Sequence, residues 1–337
     1  MNDLRISFVV IGLNEASHLS SAFAQLAKQG MARDEMEIIY VDSSSDDGSP
    51  EIARDAGVDR LLSIPREEAS APRARNAGLA SVRAPFVQFV DGDTSLAPDW
   101  CTRGLRALAE NEDVVGVEGE LREARPRANL YHAVCDFDWP TASGEVDYVG
   151  GNALYRVAGL REVGAFDPDM RFGEEPELGV RLRAGGWRML HLEDRMASHD
   201  IDIRSFFEYL QHAYKTGVSC ALVVRATGGM RSGYWANRLR RTLSHGLVIA
   251  LPAGIGLALL PVAPMTAALV AAAGPLAILL LALRKARATR RQGVALGLSL
   301  AHGLHTYVSK LARVLGILSV MLGSRPVGAP RRAPLGH

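Results

Sequence analysis

The chain has 337 residues, and its 38 lysine and arginine residues nearly balance its 37 aspartates and glutamates. This length allows one large domain or two modest ones, and the neutral balance argues against a nucleic-acid-binding protein, which usually carries a basic excess. The three cysteines are widely spaced and form neither a disulfide framework nor a zinc motif, so we expect a reducing compartment. The first apolar run is too short for the core of a signal peptide, and we expect the N-terminal domain to stay in the cytoplasm.

Strands and helices alternate along the first 90 residues. Near-continuous apolar runs predict strands buried on both faces, and Ser70 is a suitable N-cap for a helix with Pro72 in its first turn. The predicted order is strand 6–13, helix 19–28, strand 37–41, helix 50–56, a short strand around 60–64, helix 71–79 and strand 86–90. This alternation indicates a parallel α/β sheet.

The pattern continues beyond residue 110. We expect a strand at 114–118, a glycine-opened turn and strand at 150–155, a helix at 177–184 and a strand at 187–192. Residues 1–235 are therefore predicted to form one cytoplasmic domain.

The C-terminal third is mostly apolar. Residues 243–260 and 265–283 are each close to the roughly 20 residues that a helix needs to cross a bilayer, and a short uncharged turn separates them. Basic residues flank the pair at both outer ends: Arg238, Arg240 and Arg241 before it, and Arg284, Lys285, Arg287, Arg290 and Arg291 after it. The positive-inside rule then predicts a membrane hairpin at 243–283 with both ends cytoplasmic. The alternative is a pair of buried helices in a large soluble core.

Residues 294–323 have a mixed pattern. His302, Thr306, Lys310 and Arg313 share one helical face, while leucines and valines fill much of the rest. This pattern suits an amphipathic helix on the cytoplasmic leaflet better than a third span. The tail 325–337, rich in proline, arginine and glycine, is predicted to be disordered.

Two aspartates stand at the end of the strand predicted at 86–90. Asp91 and Asp93, separated by Gly92, are placed at the carboxyl edge of the sheet, where ligands bind in open α/β folds. Two carboxylates at this spacing can turn toward one hard cation, Mg²⁺ or Mn²⁺, that keeps positions open for phosphate oxygens. A strand-ending turn is the other interpretation, because Asp-Gly-Asp is also good turn chemistry.

Several motifs, taken in chain order, lie at the same predicted carboxyl edge of the sheet. Asn14-Glu15 follows the first strand, Asp42 ends the second, Ala74-Arg75-Asn76-Ala77-Gly78 precedes the fourth, and Asp91/Asp93 end it. Over residues 5–200 this constellation resembles the family-2 glycosyltransferases. The resemblance implies a Rossmann-like mixed sheet of the nucleotide-diphospho-sugar transferase type, here followed by the C-terminal membrane hairpin and the interfacial helix.

The resemblance also implies roles on the donor side. Asn14 and Glu15 match the Asn-Glu pair after the first strand, and Asp42 matches the aspartate that reads the base. A carboxylate can accept a hydrogen bond from an imide N–H, which favours uracil and hence a UDP-sugar. Arg75 and Asn76 match a segment that contacts the donor, where an arginine can pair with phosphate oxygens. Asp91 and Asp93 match the metal-binding Asp-x-Asp motif.

The acceptor side carries its own matches. Gly150-Gly151-Asn152 resembles the family's glycine-rich turn, where small residues let the backbone approach a sugar, and Gly151 and Asn152 are the candidates there. Glu174-Glu175 matches the Glu-Asp motif whose second acid is the general base, so Glu175 is the candidate base and Glu174 a candidate acceptor contact. Acidic residues near Pro176 are also ordinary signals of a helix start.

His199 follows the last predicted strand. By analogy with other enzymes of this fold it could be a third metal ligand, and it could equally be a polar loop residue.

The sequence therefore predicts a metal-dependent, inverting transferase at the inner membrane. It would transfer sugar from a nucleotide sugar to a lipid or lipid-linked acceptor, as the membrane hairpin implies. We expect transfer of a single sugar, because the family's processive Gln-x-x-Arg-Trp motif is absent after His199. A catalytically silent nucleotide-sugar-binding scaffold is the second hypothesis. A sugar-phosphate nucleotidylyltransferase is the third, although Gly12-Leu13-Asn14-Glu15 is acidic where that activity needs a basic phosphate loop. No nucleic-acid partner is expected.

Overall fold

The computed structural model describes residues 4–139, 142–228 and 233–323. These residues fall into two compact units. The first, the α/β unit, contains the residues up to Arg125 and Trp139–Ile201, and the second, the helical unit, contains Pro126–Asp138 and the residues from Asp202 onward. The predicted disordered tail at 325–337 lies outside the described residues, and the predicted domain boundaries stay predictions.

The strands are β1 (Ile6–Gly12), β2 (Met36–Asp42), β3 (Arg60–Ser63), β4 (Phe86–Asp91), β5 (Thr94–Leu96), β6 (Val114–Glu123), β7 (Gly144–Glu145), β8 (Leu154–Arg156) and β9 (Arg188–His199). The helices are α1 (Ala16–Leu26), α2 (Ser49–Asp55), α3 (Ala71–Ser81), α4 (Trp100–Glu110), α5 (Leu130–Asp138), α6 (Val157–Glu162), α7 (Glu174–Ala184), α8 (Phe206–Ala226), α9 (Gly233–Leu259), α10 (Pro264–Arg291) and α11 (Leu296–Met321).

Within the described residues, nine strands form one mixed sheet. Their order is β3-β2-β1-β4-β8-β6-β9-β5, and β7 pairs with β9. The first four strands in this order are parallel, as the alternation predicts. The short strand β8 runs antiparallel to both neighbours, β4 and β6. The prediction of a mixed α/β sheet is thus confirmed, and the switch of direction falls beside the strand that ends in Asp91.

The sheet is buried on both faces because β1, β2 and β4 carry apolar side chains at nearly every position. Phe8 and Val10 pack on one face and Val9 and Ile11 on the other, where each joins a separate hydrophobic cluster. The indole of Trp100 on α4 is fully buried and donates to Gln88 Oε1 at 3.0 Å, which satisfies both polar groups inside the core.

The structure differs from the predicted elements in a few places. Helix α7 begins at Glu174 rather than 177, since Gly173 takes a left-handed conformation (φ 83°) that suits a glycine just before the helix. Strand β9 continues to His199 through the polar residues 193–195. Ser70 precedes α3 as predicted, but its side chain makes no capping hydrogen bond.

The helical unit contains α5 and the four long helices α8 to α11. Among the described residues, α9 and α10 are long and apolar enough to cross a membrane, and they cover the two predicted spans except for residue 260, which follows the end of α9. Helix α11 packs closely on α8, because Gly217 of α8 lies against the backbone of Arg313 and Gly316 of α11 against that of Tyr214. The interfacial placement of α11 stays a prediction.

Candidate active site

The carboxyl ends of β1, β2 and β4 meet at one edge of the sheet. The parallel register pairs Gly12 with Asp42 and Ile11 with Asp91, so both acids lie at that edge. A cleft of about 250 Å³ opens there. Its lining residues are Ile11, Gly12, Leu13, Glu15, Ser43, Ala69, Ser70, Ala71, Ala74, Asp91, Gly92 and Asp93.

Asp91 is fixed by two polar partners. Asn152 Oδ1 accepts from the Asp91 backbone N–H at 2.7 Å, and Asn152 Nδ2 donates to Asp91 Oδ2 at 3.1 Å. Arg75 Nη2 donates to the other carboxylate oxygen at 2.9 Å. The carboxylate is still about one-third exposed. Asn152, predicted for the acceptor side, and Arg75, predicted for the donor side, therefore both bind the Asp91 carboxylate.

Gly92 makes a close turn between the two aspartates. Its N–H donates to Ile11 O at 2.8 Å, and a Cβ at this position would lie 2.8 Å from Glu15 Cγ. Burial and the nearby charge of Asp93 raise the pKa of Glu15, against an opposing hydrogen bond to His18. Glu15 is therefore part of the same acidic edge as the aspartate pair.

Asp93 lies against His199. His199 Nδ1 is 3.2 Å from Asp93 Oδ1, because β5 and β9 pair Thr94 with His199. Burial alone lowers the pKa of His199, but the hydrogen bond and charge of Asp93 raise it above its usual value. The ring of Trp139 stacks on His199 with centroids 5.8 Å apart. Asp93 and His199 thus form a hydrogen-bonded pair at the edge of the sheet.

Asp42 and Asn14 organise the polar loops at the edge. Asp42 is buried, and its two oxygens accept from Tyr40 Oη at 3.2 Å and from the Ser45 N–H at 2.9 Å. Asn14 has a left-handed backbone (φ 61°), and its Oδ1 accepts from the Asp46 N–H at 3.0 Å. These bonds join the loop after β1 to the loop after β2.

A second group of charges surrounds Arg75, which is 3% exposed. Its Nη1 lies 3.1 Å from Glu174 Oε1 and 3.5 Å from Glu175 Oε1, while Nη2 holds Asp91. We call Arg75, Asp91, Glu174 and Glu175 the ion-pair cluster. In this structure the guanidinium therefore faces carboxylates, although its buried Nε has no hydrogen-bond partner among the described residues.

The two glutamates of the ion-pair cluster have raised pKa values. Burial, followed by the charge of Glu175, raises the pKa of Glu174 to about 8, against the opposing effect of Arg75. Burial also raises the pKa of Glu175, and Arg75 opposes it. Both residues lie in the first turn of α7, where the helix dipole stabilises negative charge. Glu175 is the more exposed of the two, with 20% of its side chain accessible against 9%.

Gly151 and Asn76 lie around this cluster in different ways. A Cβ on Gly151 would collide with the Arg75 guanidinium and lie 3.0 Å from Glu175 Oε1, so only glycine leaves room for these charges. Asn76 instead uses both ends of its amide on the backbone of Phe166, at 2.7 and 3.1 Å. Asn76 therefore anchors the loop beneath Arg75.

Three residues at the site were not identified as site residues from the sequence: Glu118, His191 and Ser70. Glu118 on β6 accepts from the Gly150 N–H at 2.8 Å and lies 3.2 Å from Nδ1 of the buried His191. Ser70 lines the cleft, and its buried Oγ has no hydrogen-bond partner among the described residues. A charged residue within the apolar strand pattern of β6 was the available signal for Glu118.

The chain is similar to known glycosyltransferases in sequence. The profile described as "Glycosyl transferase family 2" matches residues 7–164. Glycosyltransferase AglE of Haloferax volcanii is 24% identical over 219 residues, which cover 63% of this chain and 71% of that protein. The pre-mycofactocin glycosyltransferase of Mycobacterium tuberculosis is 31% identical over 164 residues, 45% of this chain and 34% of that protein. The second match thus spans about a third of the relative.

Solved structures share the fold. The mannosyltransferase PcManGT from Pyrobaculum calidifontis, in complex with GDP-Man and Mn²⁺, has a TM-score of 0.60 at 20% identity, and the match covers 94% of this chain and 88% of that one. Staphylococcus aureus TarS 1–349 in complex with UDP has a TM-score of 0.53 at 16% identity, covering 95% and 92%. With the strand-edge site described above, residues 7–164 of this chain are a domain of glycosyl transferase family 2.

Proposed function

We propose that this protein transfers a single sugar, with inversion, from a nucleotide-diphosphate sugar to a membrane-associated lipid or lipid-linked acceptor. One observation carries the proposal: a single guanidinium, that of Arg75, joins the strand-end carboxylate Asp91 to the helix N-terminal carboxylate Glu175. Asp91, a candidate donor-binding group, therefore lies on the same guanidinium as Glu175, the candidate base. Two groups with those separate tasks are what inverting transfer requires.

The donor is proposed to lie in the cleft at the carboxyl edge of β1, β2 and β4. Small side chains such as Ala71 and Ala74 line the cleft and leave room for a flat ring. Ser70 Oγ, which has no hydrogen-bond partner among the described residues, offers a further polar contact. Asp42 uses one lone pair on each oxygen, and each oxygen has a second, so it can accept from the imide N–H of uracil. A UDP-sugar is therefore the favoured donor.

A divalent cation fits the residues at the edge. Asp93 and His199 offer their ligand atoms 3.2 Å apart, about the separation of adjacent ligands on an octahedral ion with bonds near 2.1 Å. Carboxylates suit Mg²⁺ and Mn²⁺, and His199 would add one nitrogen ligand. We propose Asp91, Asp93 and His199 as the ligands, and Asp93 as the one required for catalysis. When bound, the ion neutralises charge on the departing diphosphate.

Glu175 is proposed to accept the proton of the acceptor hydroxyl. Burial raises the pKa of its carboxyl group, and a carboxylate with a raised pKa is a better proton acceptor. Arg75 holds the Glu175 carboxylate in place, and Gly151 keeps the space beside it open. Glu174 is more deeply buried and is proposed to contact the acceptor together with Gly151 and Asn152.

The acceptor is proposed to be a lipid because of α9 and α10. Their outer faces leave large apolar side chains exposed, among them Leu257, Met265 and Leu269. Exposed apolar surface of this extent is unfavourable in water and matches the interior of a bilayer. We propose that the helices anchor the chain in the inner membrane with the α/β unit on the cytoplasmic side, as the flanking arginines favour.

Radiolabelled transfer tests this proposal. Membranes containing the protein are supplied with labelled UDP-sugars and Mn²⁺, and labelled lipid is extracted. Asp93→Ala is expected to lose Mn²⁺-dependent donor binding, whereas Glu175→Gln keeps donor binding and loses transfer by about 10²-fold or more. Glu51→Gln on the exposed face of α2 is the matched control. Normal transfer by Glu175→Gln would contradict the base assignment. A wild-type protein that binds donor but neither transfers nor hydrolyses it would support the silent scaffold instead.

A further inference from the structure

The charges of this chain are divided sharply along its sequence. All 37 aspartates and glutamates precede residue 209, whereas 16 of the 38 lysines and arginines follow it. The segment that forms most of α8 and all of α9, α10 and α11 therefore has no side-chain carboxylate of its own. Its cations can be neutralised by a carboxylate only from elsewhere in the chain.

Five of these cations lie on α9, α10 and α11, three helices of the helical unit that pack against one another. We call Arg238 and Arg241 of α9, Lys285 of α10, and Lys310 and Arg313 of α11 the basic cluster. Within the residues that the structure describes, no carboxylate forms an ion pair with any of the five. Lys310 Nζ lies 4.6 Å above the ring of Tyr307, and Arg238 Cζ lies 5.4 Å from that of Trp235. Aromatic faces hold cations in place without neutralising them.

The cations of the cluster are close enough to repel one another. Burial, followed by the charge of Arg238, lowers the pKa of the Arg313 guanidinium, against the opposing effects of Tyr209 and Asp138. Burial lowers the pKa of the Lys310 ammonium as well, and the charges of Arg313, Arg241 and Lys285 add to the effect. The helices thus hold like charges together in a partly buried place.

Arg313 also has an unsatisfied donor. Its Nε is buried and has no hydrogen-bond partner among the described residues. The close packing of Gly217 against the Arg313 backbone fixes this part of α11 on α8. A buried donor without a partner and a buried charge without a counter-ion both destabilise a protein, and one bound anion would satisfy both.

We propose that the basic cluster binds the phosphate of an anionic phospholipid. Phosphate oxygens accept charge-assisted hydrogen bonds from arginine and lysine, and basic pockets between membrane helices on the cytoplasmic side bind anionic headgroups. Arg238, Arg241 and Lys285 flank the two apolar spans, so insertion of the spans would bring the cluster to headgroup depth. The inference rests on the proposed membrane insertion of α9 and α10, but not on the proposed sugar transfer.

Lipid titration of the purified full-length protein in neutral detergent tests the site. The probes are phosphatidylglycerol, zwitterionic phosphatidylcholine and inorganic phosphate, and the readout is the shift of the unfolding temperature with probe concentration. Phosphatidylglycerol is expected to stabilise the wild type at lower concentration than the other two. Equal stabilisation by inorganic phosphate or by phosphatidylcholine would overturn the assignment to an anionic lipid.

Variants locate the binding to the cluster. Lys310→Gln with Arg313→Gln is expected to weaken phosphatidylglycerol binding by about tenfold or more, since charge-assisted hydrogen bonds are lost. Arg287→Gln, an exposed arginine of α10 outside the cluster, should change it by less than about twofold. If the double variant does not fold, Lys310→Gln alone carries the test. Unchanged binding in the Lys310→Gln/Arg313→Gln double variant, or in Lys310→Gln where that variant replaces it, would refute the proposal. Release of the wild type from membranes by alkaline washing would instead refute the proposed insertion.

Discussion

Replacing Arg75 by methionine removes the one cation from the ion-pair cluster while keeping most of the side-chain volume. Arg75 is 3% exposed and contacts three carboxylates at 2.9, 3.1 and 3.5 Å. Breaking a buried ion pair by removing one partner destabilises a protein by about 3–5 kcal/mol, because the remaining charge stays buried and unpaired. For a unit of this size, 1 kcal/mol corresponds to roughly 2–4 °C. We therefore expect Arg75→Met to lower the unfolding temperature by roughly 6–20 °C.

The matched control lies two residues earlier on the same helix. Arg73 is one-third exposed and pairs with the exposed acids Glu68 and Asp169. Exposed pairs contribute at most about 1 kcal/mol, so Arg73→Met should lower the unfolding temperature by no more than about 4 °C. The assay is thermal unfolding of the purified protein in detergent, followed by tryptophan fluorescence.

The pH dependence of the loss in stability shows whether Arg75→Met acts by removing a charge or by removing packing contacts. Arg75 opposes the rise in the pKa values of both Glu174 and Glu175, so without it the folded state binds more protons than the unfolded state over a wider pH range. Stability then falls as the pH rises. The deficit of Arg75→Met should be small near pH 5 and should grow as the pH rises through about 8 and above, because Arg75 opposes a rise in pKa that already brings Glu174 to about 8. An equal loss in the Arg73 and Arg75 variants, or a deficit that does not change with pH, would refute the role of the guanidinium as a counter-charge.

Three further predictions concern single residues of the site. The pKa of Glu174 is about 8 in the folded protein and has an ordinary value of 4.5, so the stability that Glu174 contributes is present below about pH 4.5 and is lost as the pH rises to about 8. Glu174→Gln should flatten this loss when the unfolding temperature is measured against pH. An unchanged slope would contradict the prediction. Asn152→Ala removes both hydrogen bonds to Asp91 and should weaken Mn²⁺-dependent UDP binding in calorimetry about tenfold, whereas unchanged affinity would show that Asp91 needs no support. Gly151→Ala should lose most sugar transfer because its Cβ would enter the ion-pair cluster, while Gly150→Ala, whose nearest neighbour would be 3.5 Å away, should keep it; equal rates in the two variants would contradict the steric argument.

The strands of the sheet and its acidic edge could be predicted because their signals are local. β1 and β4 are apolar at nearly every position since both faces are buried, and Asp91 follows directly where β4 ends. β5 has three residues, too few to show a period. The second half of β9 was missed because the polar residues 193–195 interrupt its apolar pattern.

The arrangement around Arg75 could not be predicted, because its partners are distant in sequence. Asp91 is 16 residues away and Glu175 is 100 residues away. The sequence identified all three as site residues, but only the fold shows that the arginine faces carboxylates. Glu118 was missed for the same reason, since its partners Gly150 and His191 are 32 and 73 residues away.

The most direct test of the central claim is mass spectrometry of lipids after reaction. Purified full-length protein is incubated with a UDP-sugar, Mn²⁺ and a bacterial lipid extract, and the organic phase is compared with that of Glu175→Gln. We expect a lipid that gains the mass of one glycosyl residue, a sugar less one water, with release of one UDP for each product and with about 10²-fold less product from the variant. A product with many sugars, or UDP release at equal rates from both proteins without any glycosylated lipid, would contradict it.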